Sequence, residues 1–375
     1  MVNSMKAMIF ASEFPPQPGG IGNHAWNLGC ELSRRGVRVL VIADGRLGGE
    51  QEERVFDSSA PFEILRIPFV LVGVRQLHRI IVYLQQLRKW KPDRVVASGR
   101  FPLLLVAAIP TRAAKLAILH GTEAGAPGSI MKKVTLTAVE RFAALIPVSR
   151  FTREIFELDP DDSRVSVIPN GVSSDRFAND IGDNGSFVGS PCLTTVGNVT
   201  YRKGQDNVIR ALPALLQRFP DLVYHIAGIP TEKDVFLELA RTLGVEKHIV
   251  FHGAVSNAEL ANLLRATDVF LMLSSVTATG DVEGFGIAIL EANLLGVPAV
   301  GARGCGIEDA IDHGVSGMLV DAKDAESVAE AVDVVMGDRD AFSKGALDWV
   351  KRHSWSAVGD RYERVLKSLP ERETS

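Results

Sequence analysis

Short apolar runs, each closed by a loop containing glycine and followed by residues at helical spacing, recur along most of these 375 residues. Met5 to Ala11 is the first run. The loop SEFPPQPGGIGNH then ends near Asn23, Ala25, Leu28, Gly29 and Leu32 mark a helix face, and Gly36 marks its stop. Val37 to Ala43 is the next run, apolar at nearly every position rather than at alternate ones. Such a strand suits a parallel sheet covered on both faces, and strand–helix–strand is a βαβ unit. Arg94–Ala97, Lys115–Leu119, Ala143–Pro147 and Val165–Ile168 continue the series. It restarts with Leu193–Val196, Tyr224–Gly228, Ile249–Gly253, Val269–Leu273, Ala299–Gly301 and Met318–Val320. Helical spacing predicts helices over Val74–Trp90, Phe151–Phe156, Gln205–Gln217, from Asn257, and over Trp349–Leu366.

This length exceeds one comfortable core and suits two domains. Residues 179–191, NDIGDNGSFVGSP, have few anchors for a core and read as the linker. The expected fold is α/β, two doubly wound Rossmann-like domains over residues 1–180 and 190–350, with 351–375 as a terminal helical segment.

Composition narrows the function classes. A net charge of −4 gives no footprint for nucleic acid. Cys30, Cys192 and Cys305 are odd in number and far apart, without disulfide or metal spacing, which favours a reducing compartment. The N-terminal apolar run is too short for a signal peptide, and no later run approaches a membrane span. The expectation is a cytoplasmic protein. The helix Val74–Trp90 carries Arg75, Arg79, Arg88 and Lys89. Such a side is either a solvated face or a patch for an anionic acceptor or anionic lipid, the last of which would bring the protein to the inner face of a membrane. Asp159-Pro160-Asp161 reads as a solvated turn, and no metal site is expected.

The densest chemistry lies in DVEGFGIAILEANLLGVP, Asp281 to Pro298. Gly284, Phe285 and Gly286 open into helical spacing at Ile287, Leu290 and Leu294, and Gly296 and Pro298 end it. A helix start offers unpaired N–H groups and the positive end of the macrodipole, and glycine lets a phosphate approach. Glu283 and Glu291 are eight positions apart, on the order of 12 Å if helical. That is too far for one acid/base pair, but it suits gripping both ends of one ligand with phosphates between. Gly197-Asn198-Val199-Thr200-Tyr201-Arg202-Lys203-Gly204 sets a point charge and a guanidinium fork between glycines, which suits a diphosphate leaving group. His120, at the tip of a buried strand, is placed to hydrogen-bond a hydroxyl or move a proton. Gly19 and Gly20 fit either a phosphate turn or a tight connection. His24 falls near the same helix start and reads as structural.

The order Gly-Gly, His-Gly, Arg-Lys-Gly and Glu283 to Glu291 resembles the retaining glycosyltransferases of family 4, which have the GT-B fold, with lipid mannosyltransferases among the similar members. The likeness is strong over residues 193–320 and looser over 1–170. By this resemblance His120 and Glu283 would contact the transferred sugar, and Arg202 and Lys203 the diphosphate. Gly19 and Gly20 would lie against the phosphates and sugar, and Phe285, Gly286 and Ile287 would meet the diphosphate through their backbone. Glu291 would hold the ribose, and Val255 would sit beside the base. Val148-Ser149 and Pro169-Asn170-Gly171-Val172 resemble the family's V-S and P-N-G-V elements, with Asn170 near the nucleotide. The resemblance implies two domains facing across a cleft and a terminal helix returning to the first. It also implies a nucleotide-sugar co-substrate, GDP-mannose or a UDP-hexose, no cofactor or divalent metal, and a glycan, lipid-linked or small-molecule acceptor. Two departures stand out. Asn198 follows Gly197 where related lipid mannosyltransferases carry a phosphate-binding Arg, and Cys305 replaces a usual Gly in Gly304 to Glu308.

Two other enzyme classes share parts of this pattern. A nucleotide-sugar epimerase of the same fold would turn over without an acceptor. A dehydrogenase would need G-x-G-x-x-G after the first strand, and Gly19, Gly20 and Gly22 do not have that spacing. A non-catalytic sugar-binding protein would have no use for the cationic loop.

Overall fold

The structure is a computed structural model that describes residues 4–17, 19–69, 72–126, 128–177, 187–277 and 280–370. The chain divides into two compact units, Met1–Gly171 with Trp355–Ser375, and Val172–Ser354.

The first unit runs β1 (Lys6–Ala11), α1 (Gly20–Arg34), β2 (Arg38–Asp44), α2 (Glu50–Asp57), β3 (Glu63–Ile67), α3 (Val72–Lys89), β4 (Arg94–Ser98), α4 (Arg100–Ala108), β5 (Ala114–Leu119), α5 (Ile130–Val139), β6 (Ala144–Pro147) and α6 (Arg150–Ile155). Its sheet is parallel in the order β3-β2-β1-β4-β5-β6. The near-continuous apolar strands are buried because helices cover both faces. On one face Phe10 of β1 stacks on Tyr83 of α3 with centroids 5.8 Å apart.

The second unit runs β7 (Cys192–Val196), α7 (Gln205–Arg218), β8 (Val223–Ala227), α8 (Lys233–Thr242), β9 (Ile249–Gly253), α9 (Asn257–Arg265), β10 (Val269–Met272), α10 (Ile287–Leu294), β11 (Ala299–Ala302), β12 (Gly317–Val320), α11 (Ala325–Gly337) and α12 (Arg339–Lys351). It too is wholly parallel, in the order β12-β11-β10-β7-β8-β9. Helix α13 (Trp355–Ser368) belongs to the first unit, where it packs on α1. Strand order reverses between β1 and β4 and between β7 and β10, and ligands of such sheets bind beyond the carboxyl ends at those points.

Four local expectations need correction. Val165–Ile168 is no strand: only Val165 bridges Leu145, because Pro147 on β6 has no N–H to extend the ladder. Trp349–Leu366 is not one helix. The chain leaves α12 at Lys351, Val172 N–H donates to the His353 carbonyl (2.9 Å), and α13 restarts at Trp355. Helix α1 starts at Gly20, three residues earlier than the loop expected to end near Asn23. On α3, Arg79 is not on a basic surface. It is buried, it pairs with Asp44 (Nε to Oδ1 2.9 Å), and it lies over the Phe101 ring. Residues 179–186 of the expected linker lie outside the described residues. Within its remainder, Ser190 N–H donates to the Asp221 carbonyl in the second unit (3.0 Å).

Candidate active site

In the second unit β7 is followed by Gly197, whose φ of 142° and close approach to the Lys203 side chain leave no comfortable place for a Cβ. Asn198 is exposed beyond it. A single 3-10 turn, Tyr201–Lys203, follows, and Gly204 ends it at φ 75°. A side chain at Gly204 would run into the Leu273 carbonyl, so α7 starts hard against the end of β10. The first residue of α7, Gln205, is fully buried. Its Nε2 donates to the Asn198 carbonyl (3.1 Å), and its Oε1 accepts from Thr200 N–H (3.2 Å). Gln205 therefore staples the cationic loop, a role no motif announced.

Beyond β10 the chain returns through Glu283. Its Oε2 accepts from Arg202 Nη1 at 2.6 Å and from Lys203 Nζ at 2.8 Å. Burial would raise this carboxyl, but the Lys203 and Arg202 charges, with hydrogen bonds from Lys203 and the Gly286 backbone, hold it below the usual carboxylate range. Glu283 is thus ionised at neutral pH, and two cations share one anion, so the cluster keeps a surplus positive charge. Gly286, at φ 93°, turns the chain into α10, whose first residue is Ile287. Phe285 is buried with its ring 6.0 Å from that of His353, so its side chain is a packing group. Gly306 N–H donates to the Glu283 carbonyl (3.0 Å), and a side chain at Gly306 would strike the Gly284 carbonyl. The Cys305-Gly306 turn thereby backs the loop. Burial pushes the Cys305 thiol up to about 12, so it is an inert packed thiol.

Glu291, on α10, is not in contact with that cluster. Its Oε1 accepts from Arg176 Nε (2.8 Å), and Arg176 Nη1 donates to Asn257 Oδ1 at the start of α9 (2.9 Å). Val255, half-buried, lies two residues before Asn257, and Ser256 with Glu259 forms the capping box that fixes this start. Arg176 was missed because its partners are 81 and 115 positions away.

In the first unit Gly19 and Gly20 open α1, and a Cβ on Gly19 would strike the Glu13 carboxylate. His120 follows β5, with Nε2 3.0 Å from Ser98 Oγ at the tip of β4. Its backbone N–H donates to Glu123 Oε2 (3.0 Å). The His24 ring meets that of His120 edge to face at 5.3 Å, and His24 Nε2 lies 3.0 Å from the Tyr362 hydroxyl of α13. Burial lowers His120 to about 4, and burial, then the neighbouring His120, holds His24 well below the usual imidazole value, so both rings are neutral at pH 7. A neutral His120 can exchange a hydrogen bond with a hydroxyl but supplies no standing charge. Burial raises Glu123 to about 7, against hydrogen bonds from the local backbone. Asn170 is buried with Oδ1 unpartnered, and Gly171 has no space for a side chain beside Trp355. Glu123 stands three residues after His120, and that spacing was the available signal for it.

Each unit is doubly wound with side chains gathered beyond its strand ends, and the second presents a carboxylate and two cations beside a helix start. That defines a two-unit α/β enzyme with a site for an anionic ligand. The model for "Glycosyltransferase Family 4" matches residues 18–176, and that for "Glycosyl transferases group 1" matches residues 177–353. A GDP-mannose-dependent alpha-(1-6)-phosphatidylinositol monomannoside mannosyltransferase of Mycolicibacterium smegmatis is 28% identical over 97% of this chain and 99% of its own. A monoacylated-substrate counterpart of Corynebacterium glutamicum is 25% identical over 99% of this chain and 100% of its own. In fold, Anabaena HepE in complex with UDP-glucose superposes with a TM-score of 0.76 at 19% identity, covering 97% of this chain and 100% of that one. The chain belongs to the family 4 glycosyltransferases of the GT-B fold.

Proposed function

We propose that this glycosyltransferase moves a mannosyl group from GDP-mannose to a lipid-linked acceptor, with retention at the anomeric carbon and without a divalent metal. The observation that carries this reading is Glu283 held between Arg202 and Lys203 at 2.6 and 2.8 Å. The surplus positive charge and the helix start at Ile287 match a diphosphate. As the bond from anomeric carbon to phosphate oxygen breaks, Lys203 and Arg202 take up the charge developing on the leaving group. The acceptor oxygen forms its bond on the face the diphosphate vacates, and its proton leaves with the diphosphate. Glu283, freed of part of its pairing by the incoming phosphates, orients sugar hydroxyls. Glu291 takes the ribose hydroxyls in place of Arg176. The choice of GDP-mannose rests on the end-to-end likeness to relatives that bear that name.

The test is thermal stabilisation by GDP, UDP and their hexose conjugates, with magnesium and with chelator. GDP should raise the melting temperature equally in both conditions, by mass action on the folded state. Lys203→Ala and Glu283→Ala should stay folded, and each should abolish transfer. Unimpaired transfer in either would remove the clamp from the mechanism, and a shift with UDP alone would replace the donor.

For the acceptor side we propose contact with an anionic membrane surface through α3 and α5. No helix among the described residues is long and apolar enough to span a membrane. On α3, Val74, Leu77 and Ile81 are exposed at spacings of three and four, with exposed Arg88 and Lys89 further along. On α5, Ile130 is 82% exposed, and Met131 and Val134 are also exposed. Apolar stripes beside basic residues suit the interfacial plane of a bilayer. The wild type should co-sediment with vesicles containing anionic lipid and not with neutral ones, and Leu77→Asp/Ile81→Asp should stay in the supernatant. Equal sedimentation of that variant would move the contact elsewhere.

A further inference from the structure

Helices α7 and α11 pack side by side in the second unit, and beside their first turns lies a cavity of about 330 Å³. Asp206, Asn207, Arg210, Ser275 and Lys323 line it. None of these residues belongs to the clamp around Glu283. Asp206, on the first turn of α7, is 8% exposed, yet its Oδ1 has no hydrogen-bond partner. Burial raises its pKa despite the Arg210 charge one turn further on. Arg210 and Lys323 are exposed, and neither side chain makes a hydrogen bond or ion pair among the described residues. A buried polar atom left unpaired costs about 1–3 kcal/mol, so its persistence at a cavity wall asks for a partner. The volume falls at the small end of ligand pockets, about 300–1,000 Å³.

The wall chemistry constrains that partner. Arg210 and Lys323, whose side chains make no hydrogen bond or ion pair among the described residues, suit an anion such as phosphate. Asp206 calls for a hydroxyl, and it would repel a bare phosphate placed against it. A neutral sugar would leave both cations unused. We propose that this cavity binds a small phosphorylated polyol, of the hexose phosphate class, at a site separate from the clamp. Its floor is tied to the clamp. Asn207 Nδ2 donates to the Leu273 carbonyl (2.8 Å), and Ser274 Oγ, next to Ser275, donates to the Lys203 carbonyl (3.4 Å). A ligand that pulls on Asp206 or Ser275 therefore acts on the segment that aims Lys203.

The experiment is calorimetric titration of the full chain with glucose 6-phosphate, inorganic phosphate and glucose, each with and without saturating GDP. Glucose 6-phosphate should bind in both conditions, and inorganic phosphate and glucose should bind at least about tenfold more weakly, since each meets only half of the wall. Arg210→Ala/Lys323→Ala changes two exposed residues, so the fold should hold and affinity should drop about tenfold or more. Asp206→Ala should erase the advantage of glucose 6-phosphate over inorganic phosphate. Lys203→Ala should bind glucose 6-phosphate as the wild type does. Absence of binding, affinity unchanged in the double variant, loss of binding in Lys203→Ala, or equal affinity for inorganic phosphate would overturn the proposal. Binding that depends on Arg210 and Lys323 in a protein that ignores GDP would keep this site and sink the donor assignment instead.

Discussion

Glu283 shows how far one residue can be read. Its place before Gly-Phe-Gly marked it as a ligand group, and the structure adds that it holds both cations of a loop some eighty positions earlier. That pairing has a pH signature. Its folded pKa is depressed, so the stabilisation is complete above the ordinary carboxylate value, about 4.3, and is lost as pH falls through the lower folded value. Denaturant melts of wild type and Glu283→Gln should therefore differ by a constant amount above about pH 5, with the gap closing below about pH 4. A gap that widens on acidification would mean the carboxyl is not held ionised by Arg202 and Lys203. Gln205 and Arg176 were not legible. A lone polar residue at a helix start or in a short turn looks solvated, and what makes each one matter is a partner supplied by folding. Asn198 is exposed on the clamp loop, and it donates nothing that replaces the arginine of related lipid enzymes. Arg202, four positions on in the same loop, is a cation that reaches Glu283.

Among elements, strands were the most legible because a run buried on both faces must be apolar throughout. Helices were less so. The stop after α12 was hidden because Arg352, His353 and Ser354 carry no glycine or proline, and the break is made by Val172 claiming the His353 carbonyl. Helix α13 shows what that restart achieves. Tyr362 brings a hydroxyl to His24, whose ring supports His120, and Trp355 closes over Gly171 and His24. Tyr362→Phe removes that partner and leaves His24 buried with neither nitrogen satisfied. The first unit should lose about 1–3 kcal/mol, read by urea unfolding, while GDP affinity in the second unit stays as it was. A neutral outcome would show that His24 finds water or another partner.

At the scale of the whole molecule, Arg202, Lys203, Glu283, Glu291 and Arg176 all lie within Val172–Ser354. A fragment of those residues should fold cooperatively and bind GDP within about tenfold of the full chain. A folded fragment that ignores GDP would show that the five residues are not a sufficient site. Sequence by itself determined two wound α/β halves, the glycine-flanked cations and the carboxylates near a helix start, because period, glycine and charge are local properties written in consecutive residues. The tertiary structure alone decided that Arg79 turns inward to Asp44, that Gln205 and Arg176 matter, that His24 and Tyr362 stand behind His120, and that Asp206 is left a hydrogen bond short. Each of those depends on which distant groups share a buried space. A chain declares its charges in order, but whether a charge is paired, stranded or solvated is settled only when packing excludes water and leaves each polar atom to its neighbours.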